Sequence, residues 1–285
     1  MSQSTFEKSL KPRPRVEYVS EYGFRRLAHF VVLLLLPLKV APTNLVIFHT
    51  VLGVVAGFFI AQNQLIWAAV LIQIKTVLDN ADGQLARASG MVSEIGRYAD
   101  TEGDFVVNLA LFAGLGALTG QWFLATLSFV IFTLMLSLDF NWEYLYRLER
   151  EEYFRPAPDT SKENQKILGL LEQFYKTVFL PQDNLIRRFC EARFAALYAK
   201  NPNPTTQAKA RLAYYEADSL LVLANLELST QLLVLGLLLV VGLPHLFLWF
   251  VVACGVVCVL LQSRREARAI KVLQPKRQPR VADFG

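Results

Sequence analysis

Apolar blocks long enough to cross a bilayer constrain this chain more than any other feature. A helix rises 1.5 Å per residue, so about twenty apolar residues cross the hydrocarbon core. Six segments approach that length: Thr43–Ala61, Leu65–Ala86, Ile95–Thr119, Trp122–Phe140, Leu220–Val241 and Leu243–Leu261. Lipid offers no hydrogen bonds to the backbone, so a spanning segment must satisfy its own amides, and runs of this length do so as helices. Over 285 residues the chain is 54% hydrophobic, and its charges gather at the N-terminus, between about 140 and 218, and after 262. The expected fold is an all-α polytopic membrane protein with six transmembrane helices; a soluble core has no need of such blocks.

Lysine and arginine set the expected orientation. Residues 1–42 hold seven of the 29, residues 141–218 hold twelve, and the tail after 262 holds seven. Arg87 and Arg97 flank the short loop between the second and third spans, and Lys75 lies inside the second. The loops QNQL, GQ and VGLP at the other ends carry none. By the positive-inside rule both termini face the cytoplasm. The formal net charge of +5 then reflects topology and attraction to anionic lipid. No nucleic-acid-binding motif accompanies it. The N-terminus lacks a signal-peptide core, so the first spans are expected to serve as the membrane signal. Phe30–Leu38 is too short to span; with SEYGFRRLAH before it, it reads as an amphipathic helix in the interface. Cys190, Cys254 and Cys258 show no disulfide or zinc spacing.

The chain thus divides into a cytoplasmic N-terminus with its interfacial helix (1–42), four spans (43–140), a cytoplasmic insert (141–218), two spans (219–262) and a basic tail (263–285). In the insert, NQKILGLLEQFYKTVF repeats apolar residues at Ile167, Leu171, Phe174 and Val178, and DNLIRRFCEARFAALYAK mixes apolar with basic residues. Two helices are expected there, either on the membrane face or as a hairpin packed on the protein.

Against this apolar background stands LDNADGQLARASGMVSEIGRYADTEGD, Leu78 to Asp104, with Asp79, Asp82, Asp100 and Asp104. Ionisable groups in membrane helices are expensive and mark function by default. Asp79 and Asp82, three apart, share a face at the end of the second span; Asp100 and Asp104, four apart, share one at the start of the third. A short loop makes the two helices antiparallel, so the four carboxylates can converge at one depth. Such a group needs protons or cations, and oxygen ligands favour Mg²⁺ or Mn²⁺. Sites of that kind usually handle phosphates. Gly83 and Ala86 keep one face small, and Arg87 offers a planar fork to a phosphate. Lys75 is expected to pair with Asp79, with a phosphate contact as the other reading. Arg97 reads as a topology charge.

The spacing Asp79-x2-Asp82-Gly83-x2-Ala86-Arg87-x8-Gly96-x3-Asp100-x3-Asp104 resembles the signature of the CDP-alcohol phosphotransferases, also called CDP-alcohol phosphatidyltransferases. The resemblance implies six transmembrane helices after an amphipathic one, a homodimer, and transfer of a substituted phosphate from a CDP-linked alcohol to a second alcohol with release of CMP. It implies that Asp79, Asp82 and Asp100 hold two Mg²⁺ or Mn²⁺ ions. Asp104 would be the general base and a further metal ligand. Gly83, Ala86 and Arg87 would meet the CDP moiety, with Asn44 in PTNL and Ser93 as further nucleotide contacts.

The expected activity is phospholipid synthesis from CDP-diacylglycerol and a polar alcohol, at the inner membrane. A soluble CDP-alcohol of the inositol, choline or ethanolamine type, acting on a lipid or polyol acceptor, is the alternative within this chemistry. A cation transporter using the acids as its ion site is the alternative from another class; Glu227 is its one further hint. For a phosphorylated acceptor, Arg147, Arg211, Arg264 and Arg265 are candidates, each with a plain topology reading.

Overall fold

The computed structural model describes residues 15–152, 158, 160–161, 163–199 and 203–274. Among these the protein is all helical. A π-helical turn, Ser20–Phe24, leads into α1 (Arg25–Leu35), followed by α2 (Pro42–Ala61), α3 (Leu65–Ser89), α4 (Glu94–Thr119) and α5 (Trp122–Leu148). After the insert's α6 (Gln165–Tyr198) come α7 (Pro204–Tyr214), α8 (Ala217–Ala224), α9 (Leu228–Val240) and α10 (His245–Leu273).

The protein is an all-α polytopic membrane protein, but the count of six spans is not reproduced. Five segments are long and apolar enough to cross: α2, α4, α5, the run Pro204–Val240, and α10. The helix left out is α3, because Lys75, Asp79 and Asp82 sit within it. It still packs against α2, α9 and α1. The expected fifth span, Leu220–Val241, is broken: α8 ends at Ala224 and α9 starts after Glu227. Helices α5 and α10 also outrun their expected ends at Phe140 and Leu261, reaching Leu148 and Leu273.

The tightest pair is α2 with α4. An added Cβ on Gly53 would meet the Val107 side chain, one on Gly103 the Thr50 hydroxyl, and one on Gly114 the backbone carbonyl of Gly57. Small residues let helix backbones touch where lipid supplies no hydrophobic drive. The buried stripe of α2 runs through Val46, His49, Gly53, Gly57 and Ile60, at helical spacing. Away from the acidic stretch, α2 to α5, α9 and α10 close around an apolar core that includes Ile60, Ile72, Leu111, Phe132, Leu235 and Phe247.

The insert is not two helices on a membrane face. α6 is one helix of 34 residues with Pro181 inside it, laid against α4 and α5. Phe174 and Phe179 pack on Phe105, and Tyr175 on Tyr98. Asp183, buried beside Pro181, accepts hydrogen bonds from Ser137, from Asn141 at 2.9 Å and from Tyr175 at 3.1 Å. Burial, then the Asp183 carboxylate, push the Tyr175 hydroxyl up to about 12. Just before α6, Glu163 accepts from the backbone amides of Glu94 and Ile95 at 2.8 and 2.7 Å and so caps α4.

Candidate active site

Helix geometry sets the depth of each acidic residue. At 1.5 Å per residue, Asp82 lies about 10 Å from the end of α3, Asp100 about 9 Å from the start of α4, and His49 about 10 Å from the start of α2. Asp79 and Asp104 form a second layer about 15 Å in, and Lys75 lies about 21 Å in. Two things fix the ends of this arrangement. Gly90, at φ 72°, takes the left-handed conformation that stops α3. Ser93 caps α4, its hydroxyl accepting from the Gly96 amide at 2.9 Å.

The structure brings Asp79, Asp82 and Asp100 together and adds a residue that the sequence reading passed over. His49 of α2 is fully buried, and its Nε2 lies 2.7 Å from Asp82 Oδ2, 3.9 Å from Asp79 and 4.0 Å from Asp100. One ligand atom from each of these four residues lies within 4.8 Å of the others. The signal was present: His49 precedes Gly53 and Gly57 at four-residue steps, on the face that α2 turns to α4.

Asp104 stands outside that group. Lys75 Nζ, fully buried, donates to its Oδ1 and lies 3.2 Å from Asp79. The expected pairing of Lys75 with Asp79 is there, but Lys75 holds Asp104 more closely. The charge on Asp104 is thus met by a protein cation.

These groups open on a cavity of about 470 Å³. Asp79, Asp82, Gly83, Ala86, Arg87, Ser93, Gly96, Asp100 and Asp104 line it. Asn44 does not; it is exposed, and Thr43 lines the cavity in its place. The space left by Gly83 is covered by the Arg87 guanidinium, 3.1 Å from where a Cβ would stand. Gly96 is required by neighbours, since a Cβ there would press on Ser93 and Thr43. Glu17, Ser20 and Arg25 from the N-terminal segment, with Glu227 and Ser229 from the α8–α9 break, complete the far wall. Arg147, Arg211, Arg264 and Arg265 do not reach the cavity. The first three pair with Glu143, Glu149 and Asp218, and Arg265 stacks 3.8 Å from the Trp142 ring centroid.

The donor set fits a divalent cation. Three carboxylates and an imidazole make an oxygen-rich site of the kind that takes Mg²⁺ or Mn²⁺. Asp100 Oδ1 is buried without a hydrogen-bond partner among the described residues. An ionised oxygen left so is costly unless a cation meets it.

The comparisons agree with the signature. Residues 39–159 match the family model described as CDP-alcohol phosphatidyltransferase. That segment holds α2 to α5 and every residue of the acidic stretch, and stops short of α6. No curated protein matches the chain.

Proposed function

With the match of residues 39–159 to the CDP-alcohol phosphatidyltransferases as premise, we propose that this chain is an integral membrane transferase. It moves a substituted phosphate from a CDP-alcohol to an alcohol acceptor and releases CMP. The observation that carries this reading is the convergence of Asp79, Asp82 and Asp100 from two helices within one cavity, with Asp104 beside Asp79 in its deeper layer.

Asp79, Asp82 and Asp100 would hold the divalent cations. When bound, these neutralise the phosphate oxygens and stabilise the leaving CMP. The protein's own groups do the rest. Arg87 and the small face at Gly83 and Ala86 receive the nucleotide, with Ser93 and Thr43 at its edge. Asp104 takes the proton of the attacking hydroxyl as the new bond to phosphorus forms. Lys75, bonded to Asp104 Oδ1, fixes the orientation of the carboxylate.

CDP-diacylglycerol is the favoured donor. An apolar groove of about 850 Å³ lies on the other side of the Ser20–Phe24 turn. Tyr22, Leu27, Ile74, Leu78 and Leu233 line it, and Leu78 adjoins Asp79. An acyl chain there would leave the headgroup at the acids. The basic ends facing the cytoplasm, a homodimer, and a place in phospholipid synthesis complete the proposal.

The test is CMP release by purified protein with Mg²⁺ or Mn²⁺. CDP-diacylglycerol and soluble CDP-alcohols serve as donors, against a panel of glycerol 3-phosphate, serine, inositol and inositol phosphate. Asp104→Asn is expected to lower kcat at least a hundredfold while CDP binding persists. Normal turnover in that variant would remove Asp104 from the role of base.

A further inference from the structure

His49 is the one cluster member that the acidic signature does not contain, and its two ring nitrogens stand in opposite circumstances. Nε2 points into the carboxylates, 2.7 Å from Asp82 Oδ2. Nδ1 is buried and has no hydrogen-bond partner among the described residues. We propose that His49 is a positioning residue: its Nε2–H donates to Asp82 and turns that carboxylate's other oxygen toward the cation shared with Asp79 and Asp100. This rests on the function proposed above.

The orphaned Nδ1 decides between donor and ligand. A histidine that binds metal through Nε2 carries its hydrogen on Nδ1 and almost always gives it to an acceptor. Here that hydrogen would be buried against nothing that accepts it. With the hydrogen on Nε2, the ring meets the strongest acceptor beside it and leaves only a lone pair unmet, the lesser penalty. The ring also has little room to turn. His49 sits one turn before Gly53, where an added Cβ would already meet the Val107 side chain of α4, and it has no exposed surface. Asp82 is thereby held from a third helix, α2, although its own helix and Asp100's carry the other carboxylates.

Mn²⁺ is the probe. Binding is measured by calorimetry on the purified full chain, and electron spin echo spectroscopy reads the nuclei around the bound ion. The wild type is expected to show no nitrogen bound directly to Mn²⁺. His49→Phe should weaken Mn²⁺ binding tenfold to a hundredfold, as loss of an outer-sphere partner does. His49→Gln, whose amide nitrogen can reach the Nε2 position, should recover most of it. A directly bound nitrogen in the wild type would make His49 a ligand and overturn the proposal, and that measurement needs no variant to fold. Equal Mn²⁺ affinity in wild type and His49→Phe would overturn it too. If the wild type bound no Mn²⁺ at all, the proposed metal-dependent transfer itself would fall.

Discussion

Lys75 shows how one side chain alters the reading of a motif. By spacing alone, four aspartates look equivalent, and Asp104 joins the others as a ligand. In three dimensions Lys75 is 1% exposed and lies between Asp79 and Asp104, so the deeper layer already carries its own positive charge. Removing one partner of a buried ion pair leaves the other charge uncompensated, at about 3–5 kcal/mol. Lys75→Met is therefore expected to lower the Tm in detergent by several degrees. Mn²⁺ should restore more of the Tm in this variant than it adds to the wild type, because both cations answer Asp79. Equal Mn²⁺ shifts in the two proteins would mean that Lys75 and the metal act independently. Turnover should fall as well, since Asp104 loses the contact that fixes its orientation.

The helix pair α2–α4 is the element on which the site depends. His49 of α2 comes within 4.0 Å of Asp100 of α4, where Gly53, Gly57, Gly103 and Gly114 let the two helices pack closely. Gly114→Leu would drive a side chain into the Gly57 carbonyl. Overpacking of that kind costs about 1–3 kcal/mol. Because Gly114 lies well away from Asp100 along α4, a fall in Mn²⁺ affinity in this variant would report the helix separation rather than a lost ligand. Unchanged affinity with a lowered Tm would show that the site tolerates the shift. These contacts explain what could be read in advance. The four aspartates were legible because their spacing lies within two adjacent helices. His49 was not, because its partners lie 30 or more residues away in sequence. The starts of α2 and α4, at Pro42 and Glu94, fall one residue before the expected Thr43 and Ile95. The break before α9 was hidden inside an apolar run, since Asn225 and Glu227 act there as a helix end rather than as a loop. The insert's two segments were expected as two helices, yet α6 runs through both and past Pro181, with Asp183 anchored to α5 at that point.

Across the whole molecule, the N-terminal segment joins the helices that carry the family match to those that follow. Arg15 is buried, and its Nη2 lies 2.6 Å from Asp139 and 3.2 Å from Glu143 of α5, and 3.5 Å from Glu227 at the α8–α9 break. Tyr18 donates its amide to Asn225 at the same break. Three acids from two distant parts of the chain thus meet one guanidinium, and Glu227 and Glu17 also line the cavity that holds the aspartates. If Arg15 is what holds these acids together, its loss should harm the protein chiefly by leaving them to repel one another. Arg15→Met is then expected to destabilise the protein by about 3 kcal/mol, read as a lowered Tm. Asp139→Asn in the same chain should return part of that loss, because it removes charge from the side now in excess. The double variant would be more stable than the sum of the two single changes allows, with a coupling of about 1 kcal/mol or more. Thermal unfolding of the four proteins closes this cycle. Simple additivity would mean that the N-terminal segment rests on the bundle without bracing it, and that the far wall of the cavity is held by α9 alone.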